Sequence, residues 1–572
     1  MKERKDEMKK SFRKILVICT VLAMILGTTF ASAATKTEVT SLDGAKAKVQ
    51  VDWNHRYTYD ELGKQLKDLN KAYGKLSKLE TIGKTHEGRP LYCMTITDQS
   101  VAKSKKTEVT VFGNIHGGER ESASSAMYSA WYLLENSGTT KVKTLLKNYI
   151  VYVIPVINPD GYEQSFLWNT RQNMKPTDHD NDGVPFNDNY KDIDGDGYIA
   201  DISAVDAAKT VTGSAGRESD DANKDGILGN DPKGSNIDMN RTFDYLWGED
   251  GVMDSEGESP ASEPEIQAVQ NFIKAHPNMT CLATLHTGIQ CVLYPWGYRK
   301  AHKDLDDMDD IKYMDQTAKE MAKTIAEGTQ RNFYYKQSYH DYPTYSELID
   351  YAYGKFGIHP YTIEVYSGGS SEDSAYDPNH DLSSDKGCKW NNKLPDVKEV
   401  YYTHEEAVKI LEAAGIDPAK LQIKDKATNE YRPWKASEGL LFKTSATAQM
   451  VDKAPEGQDV MVNGVMKGIL KMFENEKAVN TIKLTVKASA SKDKVKLTWN
   501  KSKGQITGYQ VQKSKYSAKG FLNVNKNTTK TSITNTKNLK KGTTYYYRVR
   551  PISKVNGKTT YGQWAKVSVK AK

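Results

Sequence analysis

The segment EVTVFGNIHGGERES (residues 108–122) decides the fold class, because an apolar stretch with strand character runs directly into a glycine turn and then a helix. Three later segments predict further buried strands: YIVYVIPVIN (149–158), MTCLATLH (279–286) and HPYTIEVY (359–366). Helical periodicity separates these strands, as in ESASSAMYSAWYLLE and SEPEIQAVQNFIKAH, and a final helix is expected at VMVNGVMKGILKMFE. Such alternation predicts an α/β layered fold with a parallel or mixed sheet, in which functional residues lie where strands end.

The composition predicts a folded protein of more than one domain. The chain has 572 residues, of which 38% are hydrophobic and 27% are charged, which is typical of globular proteins rather than disordered or membrane-embedded chains. A length of this kind exceeds one average domain. We expect a signal peptide over residues 1–33, a catalytic domain over residues 50–478 and a C-terminal domain over residues 483–572.

The N-terminal residues predict export. Seven lysines and arginines precede an apolar run over residues 15–26, and Ala31-Ser32-Ala33 forms a cleavage site of the A-x-A type. An apolar run of about a dozen residues is shorter than the roughly 20 that span a bilayer. The sequence therefore predicts a secreted chain without a membrane span, and we expect a monomer that does not bind nucleic acid.

The C-terminal domain differs from the rest of the chain in both pattern and charge. VKLTWN, TGYQVQKS and TTYYYRVRPIS are short alternating strands, as in an all-β sandwich, and together they resemble a fibronectin type III domain. Residues 483–572 carry 20 Lys and 2 Arg against Asp493 alone, a net charge of +21, while residues 34–482 carry −18. This asymmetry predicts binding to anionic cell-wall polymers, with a soluble spacer as the alternative.

Three side chains at predicted strand ends indicate a zinc site. His116 and Glu119 follow the first strand three residues apart, and His286 ends another strand. Imidazole and carboxylate groups are zinc ligands, and a set of two His and one Glu leaves a fourth position open, as catalytic zinc sites do. Each residue alone has an ordinary alternative, a surface turn for the first two and a structural histidine for the third.

Glu364 is the candidate general base. It lies inside the apolar segment YTIEVY, where a carboxylate without a partner is costly. A base at that place would take a proton from water and later pass it to the leaving amine. The alternative is a core glutamate that forms a salt bridge.

Five motifs together resemble the zinc carboxypeptidases of peptidase family M14 (carboxypeptidase A-like). They are HGGE, NPDGY, NIDMNRTF, ATLHTG and YTIEVY, in the order found in that family and within residues 57–474. The resemblance implies an eight-stranded mixed sheet flanked by helices, with zinc held by His116, Glu119 and His286. It also implies that Asn240 and Arg241 bind the terminal carboxylate of a peptide, since a guanidinium clamps a carboxylate with two hydrogen bonds.

The resemblance further implies a second arginine that polarises the scissile carbonyl and a tyrosine that closes over the substrate. Arg171 is the nearest candidate for the arginine, although WNTRQNMKP lacks the expected basic run. Tyr342 fits the tyrosine without gaps and Tyr345 is its rival. Leu348 and Ile349 follow and are apolar, so we expect them to line the specificity pocket and to favour hydrophobic C-terminal residues, unless both are simply core.

An aspartate-rich insertion over residues 175–236 predicts calcium binding. Three near-copies of one pattern each end in glycine, as in the first half of an EF-hand loop. Their candidate ligands are Asp178, Asp180, Asp182, Asp192, Asp194, Asp196, Asp221, Asn223 and Asp225. The glutamate at position twelve of an EF-hand is missing in each copy, and Asp188, Asp201 and Asp231 are candidates to close the sites instead. The alternative is a solvated acidic loop.

The sequence thus predicts a secreted zinc-dependent carboxypeptidase acting on peptide or protein substrates. A peptidase of cell-wall peptides, cutting γ-glutamyl or D-amino-acid bonds, is the alternative within the same class. A non-catalytic adhesin ordered by calcium is a further alternative, against which the intact zinc and base residues argue. Four cysteines follow the signal peptide, and we expect a scaffold stabilised by its core rather than by disulfides.

Overall fold

The computed structural model describes residues 47–103, 106–168, 170–249, 255–303, 305–365, 376–383, 398–449, 457–476, 484–502, 506–517, 520–555, 558–562 and 564–572. The predicted signal peptide and Cys388 lie outside these residues. The α-helices are α1 Tyr59–Ala72, α2 Arg120–Glu135, α3 Thr140–Asn148, α4 Pro159–Gln164, α5 Pro264–Ala275, α6 Met308–Thr329, α7 Leu348–Tyr351, α8 His404–Ala414 and α9 Gln458–Asn475.

The strands of the described ranges form four sheets. Those of the first half of the chain are β1 Ser77–Lys84, β2 Pro90–Ile96, β3 Thr107–Gly113, β4 Tyr149–Ile154, β5 Tyr198–Val205, β6 Val211–Arg217, β7 Met279–His286 and β8 Cys291–Tyr294. They are followed by β9 Tyr334–Gln337, β10 His359–Glu364, β11 Glu399–Tyr402, β12 Gln422–Asp425, β13 Tyr431–Pro433 and β14 Gly439–Gln449. The C-terminal strands are β15 Val486–Ser491, β16 Lys494–Trp499, β17 Gly508–Ser514, β18 Leu522–Thr528, β19 Ser532–Asn535, β20 Thr544–Val555, β21 Lys558–Tyr561 and β22 Ala565–Lys570.

The central sheet has eight strands in the order β1-β2-β4-β3-β7-β10-β8-β9. The pairs β3–β4, β3–β7 and β7–β10 are parallel, and β1–β2, β2–β4 and β8–β10 are antiparallel, so the sheet is mixed. β3, β4, β7 and β10 are buried along their whole length, which explains their continuous apolar sequences. The eight-stranded mixed sheet predicted from the sequence is confirmed.

A second sheet joins the aspartate-rich insertion to a distant part of the chain. Its strands run in the order β11-β14-β5-β6-β12-β13, and β5 of the insertion pairs with β14 from Gly439↔Val205 onward. This sheet has its own small core, which includes Ile202, Leu411 and Phe442. The sequence reasoning missed this sheet, because it treated the insertion as a loop and residues beyond Glu364 as weakly patterned.

The C-terminal strands form two antiparallel sheets, β15-β16-β19 and β18-β17-β20-β21 with β22 paired to β20. The buried side chains between the sheets include Leu497, Trp499, Tyr509 and Tyr547. This arrangement confirms the predicted all-β sandwich.

Buried charged groups join the sandwich to the central domain. Arg550 on β20 pairs with Asp307, at 3.0 Å, and with Asp310 of α6, and all three side chains are fully buried. Gln510 and Gln512 on β17 also donate to Asp307, at 3.0 and 2.7 Å. The sandwich therefore packs against the central domain through side chains that have no contact with water.

The three described cysteines, Cys93, Cys281 and Cys291, are buried. Cys93 and Cys281 are free thiols. In the described part of the chain, no helix combines the length and apolar character needed to cross a membrane.

Candidate active site

The candidate active site lies at the carboxyl ends of three neighbouring strands of the central sheet. The turn after β3 carries His116 and Glu119, β7 ends at His286, and β10 ends at Glu364. Glu364 is the register partner of His286 across the parallel β7–β10 pair. The sequence placed Glu364 inside a strand, whereas the structure places it at the strand end, so its carboxylate reaches the same edge as the two histidines.

The turn after β3 is held by Asn114, whose backbone is in the left-handed region at φ 52°. Its side-chain amide donates hydrogen bonds to the carbonyl oxygens of His116, Gly117 and Glu119 at 2.9–3.1 Å. A Cβ on Gly117 would lie 2.4 Å from the carbonyl oxygen of Gly161. Gly117 of HGGE and Gly161 of NPDGY are thus explained by the close approach of two backbones that fixes the turn.

His116, Glu119 and His286 form a compact, buried donor cluster. The carboxylate of Glu119 lies between the two imidazoles, with Oε1 2.7 Å from Nδ1 of His116 and Oε2 3.2 Å from Nδ1 of His286. One donor atom from each of the three side chains lies within 4.8 Å of the others. All three candidate zinc ligands predicted from the sequence are therefore brought together.

Asp238, which the sequence reasoning missed, orients His116 from the other side of its ring. Oδ1 of Asp238 lies 3.0 Å from Nε2 of His116. A carboxylate on the outer nitrogen of a histidine fixes the orientation of the ring and makes the inner nitrogen a better metal ligand. The only sequence signal for it is an acid two residues before Asn240, within the NIDMNRTF motif.

The charges of the cluster depend on one another. Burial alone would raise the pKa of Glu119, but the neighbouring His116 and His286 outweigh burial and lower it. Burial and Arg171 lower the pKa of His116, while Glu119 and Asp238 outweigh them and raise it. Burial lowers the pKa of His286. The carboxylate is therefore ionised and ready to bind a cation.

Glu364 has the environment of a general base. Its side chain is buried, and Oε2 has no hydrogen-bond partner. Burial raises its pKa well above the ordinary range, the negative charges of Glu119 and Asp341 raise it further, and Arg171 opposes them in part. No ion pair to Glu364 is found among the described residues, so the alternative of a salt-bridged core glutamate has no support.

Two arginines flank the donor cluster. Arg171 donates to Oε1 of Glu119 at 3.0 Å and to Oδ2 of Asp238 at 3.2 Å, and its side chain is half-exposed. Arg241 is buried, donates to the carbonyl oxygen of Asn240 at 3.0 Å and to the hydroxyl of Tyr342 at 3.1 Å, and its Nε has no partner. The short 3₁₀ turn Met239–Arg241 positions both Asn240 and Arg241.

These residues line one cavity. Its walls are formed by His116, Glu119, Arg171, Asn240, Arg241, His286, Leu293, Ser338, Asp341, Tyr342, Thr344, Glu347, Thr362 and Glu364. The predicted ligands, base, arginines, Asn240 and Tyr342 are all present. The acids Asp341 and Glu347 are further lining residues that the sequence reasoning missed, and the run SYHDYPTYSE gives no sign of which of its polar side chains turn inward.

Two predicted substrate-binding residues are not brought to the described walls of this cavity. Tyr345 lies 6.0 Å from the ring of Tyr298 by centroids. Ile349, with Leu348, is buried in the short helix α7. Both apolar side chains are buried, and the hydrophobic specificity pocket expected from them stays a prediction.

The aspartate-rich insertion brings together two of its three predicted repeats with further acids. Asp178 and Asp180 lie with Asp231, and Asp192 and Asp194 lie with Glu218, each group with its oxygens within 4.8 Å. Asp231, the candidate for closing the third repeat, lies instead with the first repeat.

The remaining candidates of the insertion are placed differently. Asp201 pairs with Arg217 at 2.7 Å instead of closing the second repeat. Asn223 of the third repeat donates to Asp180 at 2.9 Å, and the buried Asp188 accepts from the backbone of Asp221 and Asn230. The third repeat therefore braces the first rather than forming a described cluster of its own.

Both parts of the chain match known protein families. The family model of zinc carboxypeptidases (Peptidase M14) matches residues 63–385, more than half of the chain, and that of the fibronectin type III domain matches residues 478–568. The chain is 26% identical over 333 residues to carboxypeptidase B of Astacus astacus, a match covering 56% of this chain and 89% of that protein.

Other relatives match over a smaller part of their length. The chain is 24% identical over 257 residues to carboxypeptidase O of Bos taurus, covering 43% of this chain and 54% of that protein. The crystal structure of carboxypeptidase A from Helicoverpa armigera is 19% identical, with a TM-score of 0.43, covering 57% of this chain and 70% of that one. The match thus spans about half the length of the bovine relative.

Proposed function

Because the chain belongs to the zinc carboxypeptidase family, we propose that it hydrolyses the last peptide bond of peptides in the cavity around His116, Glu119 and His286. The observation that carries this proposal is that one cavity contains both Glu364, a buried carboxylate whose Oε2 has no hydrogen-bond partner, and Arg241, a buried arginine. The first supplies a base and the second a site for a free terminal carboxylate.

The donor cluster fits zinc. Two imidazoles and one carboxylate are buried together and are typical ligands of this metal. Asp238 supplies the outer hydrogen bond that ligating histidines usually make. When bound, zinc supplies a Lewis acid that polarises a carbonyl and makes water more acidic.

Glu364 handles the proton in this mechanism. Its unpartnered Oε2 accepts a proton from the attacking water and then delivers it to the nitrogen of the leaving residue. Low exposure of the side chain keeps the carboxylate from being solvated between these two steps. The same atom therefore acts first as base and then as acid.

Four residues orient the substrate. Arg241 and Asn240 bind the terminal carboxylate, and the free Nε of Arg241 leaves it with an unused donor. Tyr342, whose side chain is partly exposed and contacts Arg241, closes over the bound residue. Arg171 lies beside the donor cluster and is placed to polarise the scissile carbonyl. Tyr345, the rival of Tyr342, has no described contact with the cavity.

Mass spectrometry of peptides after incubation tests the proposal. Zinc-loaded protein should shorten peptides one residue at a time from the C-terminus and should spare peptides with an amidated end. Cleavage at internal bonds, or equal cleavage of amidated peptides, would contradict it. Muropeptides in the same panel test the alternative of a cell-wall peptidase, and turnover of any of these substrates argues against a non-catalytic adhesin.

Secretion is part of the proposal and rests on the signal-like N-terminus, which lies outside the described residues. Fractionation of the producing cells, followed by N-terminal sequencing of the mature protein, tests it. A mature chain beginning near residue 34 in the medium or wall fraction supports export. Retention of the whole chain inside the cell contradicts it.

We also propose that calcium orders the insertion. Two groups of three carboxylates, each with one buried member, would repel one another without a cation. The melting temperature of the zinc-loaded protein should then rise with free calcium, because a ligand of the folded state stabilises it. Asp192→Asn should weaken this rise, whereas Asp201→Asn, at the acid paired with Arg217, should not. No response to calcium would contradict the proposal.

Binding to anionic cell-wall polymers is proposed for the exposed face of the sandwich. Lys487, Lys492, Lys494 and Lys496 lie on or between β15 and β16 and are exposed. Exposed charges attract polyanions in a manner that salt screens within about 8–10 Å. Replacing these four lysines by glutamine should release the protein from wall preparations at low salt, and unchanged retention would contradict the proposal.

A further inference from the structure

The cavity contains an acid that the mechanism does not use. Glu347 precedes helix α7, lines the cavity and is only 5% exposed. Its Oε1 accepts a hydrogen bond from the hydroxyl of Ser338 at 3.4 Å. A Cβ on Gly297 would lie 1.9 Å from this same oxygen. The absence of a side chain at position 297 therefore gives the carboxylate its place in the wall.

Glu347 lacks the positively charged partner that buried carboxylates normally have. Within the described ranges, no Lys, Arg or His nitrogen lies within 4.0 Å of its carboxylate. The other acid of this wall, Asp341, pairs with Lys336 at 3.0 Å, and both of those side chains are 9% exposed. A buried charge without a partner is costly, so the carboxylate of Glu347, which neither the donor cluster nor the proton transfer uses, would stabilise a cation in the cavity.

Arg241 does not fill this role once a substrate is bound. Its positive charge lowers the pKa of Glu347, although burial outweighs it and raises that pKa. Under the proposed function, the guanidinium of Arg241 binds the terminal carboxylate of the peptide. Its charge is then compensated by the substrate, and the carboxylate of Glu347 is left facing whatever side chain the terminal residue carries.

The groups around Glu347 suit a long side chain with a charged end. Leu293 and Thr362 are register partners on β8 and β10, and both line the cavity. Their aliphatic parts can contact a methylene chain. The hydroxyl of Thr344 is buried beside the carboxylate of Glu347. A hydrophobic terminal residue would leave this carboxylate without a positive charge.

We propose that Glu347 receives the ammonium or guanidinium group of a C-terminal lysine or arginine, so that the protein is selective for basic C-terminal residues. This inference rests on the proposed carboxypeptidase function and names its substrate class. It replaces the hydrophobic preference expected from Leu348 and Ile349, which the structure places in the core.

The first experiment compares kcat/KM for peptides that differ only in their last residue, namely Lys, Arg, Leu, Phe or Gln. The wild type should favour Lys and Arg, and Glu347→Gln should lower kcat/KM for those two by roughly 30-fold or more, as loss of one member of a buried charge pair does. Its rates on peptides ending in Leu or Gln should change much less, so that the ratio of kcat/KM for Lys to that for Leu falls. Asp341→Asn is the matched control, because that acid already has Lys336, and it should change the Lys/Leu ratio much less.

The second experiment separates this inference from the proposed function. Peptide binding to zinc-loaded Glu364→Gln, in which the proton acceptor is lost, is measured by titration calorimetry. A peptide ending in Lys should bind at least tenfold more tightly than one ending in Leu, and Glu347→Gln added to this variant should abolish the difference. If the wild type hydrolyses nothing while this difference remains, the carboxypeptidase function fails and the recognition of a basic residue stands.

The opposite result is equally clear. Turnover of C-terminal peptides without any preference for Lys or Arg, or with a preference that Glu347→Gln leaves intact, would overturn the role of Glu347 and keep the carboxypeptidase function. Equal binding of peptides ending in Lys and Leu would overturn it as well. The wild-type preference needs no variant, so misfolding of Glu347→Gln would not rescue the inference.

Discussion

Arg241→Ala should remove the ability of the protein to distinguish a free C-terminus from a blocked one. Arg241 is 4% exposed, and its Nε has no partner in the structure. A hydrogen bond to a charged group contributes about 1.5–3 kcal/mol. Two such bonds to a carboxylate therefore contribute about 3–6 kcal/mol, and the loss of both should lower kcat/KM by roughly 10²- to 10⁴-fold.

The assay is a cycle of four rates, in which wild type and Arg241→Ala each act on one peptide with a free and an amidated end. The large loss is expected on the free peptide alone, because the amidated peptide never made the charged contact. The two peptides should then be nearly equal substrates of the variant. An equal fall on both peptides would mean that Arg241 supports the fold rather than reading the carboxylate.

Two further variants keep this experiment interpretable. Arg241→Lys retains the positive charge but loses the planar fork, so its loss on the free peptide should be intermediate. Tyr342→Phe removes one neutral hydroxyl, which accepts from Arg241 at 3.1 Å, and a bond of that kind contributes about 1 kcal/mol. If Tyr342→Phe lowered kcat/KM on the free peptide as much as Arg241→Ala does, Arg241 would not be the main group that binds the terminal carboxylate.

Three other outcomes are expected. Glu364→Gln should keep the fold and bound zinc, measured by melting and metal analysis, while kcat falls by about 10²- to 10⁴-fold; a rate near that of the wild type would exclude Glu364 as the base. Arg550→Ala should lower the free energy of unfolding in urea by about 3–5 kcal/mol, because it removes the arginine that pairs with the buried Asp307 and Asp310; a loss below 1 kcal/mol would show that water enters this interface. Burial lowers the pKa of His359, but Glu476 and Asp310 outweigh burial and raise the pKa to about 9. Between pH 6.5 and 9 the folded protein therefore keeps a proton on His359 that the unfolded chain has released. The free energy of unfolding should fall as the pH rises from 6.5 to 9. His359→Gln should flatten that fall, and an unchanged pH profile would contradict the reasoning.

The central sheet could be predicted from the sequence because its strands are buried on both faces. Such strands are continuous apolar runs, and each run ends where its chain reaches the sheet edge. His286 is the last residue of β7 and Glu364 the last of β10. The polar residues that interrupt or end these runs were therefore visible as candidates for chemistry, and the turn HGGE followed the same rule after β3.

The second sheet could not be predicted in the same way. Three of its strands, β11, β12 and β13, have only three or four residues, and β5 pairs with β14 more than 200 residues later along the chain. Nothing in either segment alone marks this pairing, because each strand is stabilised by contacts that only the other supplies. The insertion consequently looked like a loop, although two strands lie between its second and third aspartate-rich repeats.

The site residues that the sequence reasoning missed share one property. Their roles depend on where the backbone points their side chains and not on residue type alone. Asp238 contacts His116 across 122 positions of the chain, and the segment NIDMNRTF does not show which residue its carboxylate reaches. Glu347 stands beside Leu348 and Ile349, and a one-residue difference at the start of α7 decides which of the three faces the cavity. Apolar residues next to a binding motif therefore indicate the pocket wall only when the backbone that carries them is known.

The charge of the sandwich likewise depends on the structure, because Arg550 is fully buried against Asp310 while the lysines of β15 and β16 are exposed. Net charge counted along the sequence includes both groups, but only the exposed lysines can meet a partner.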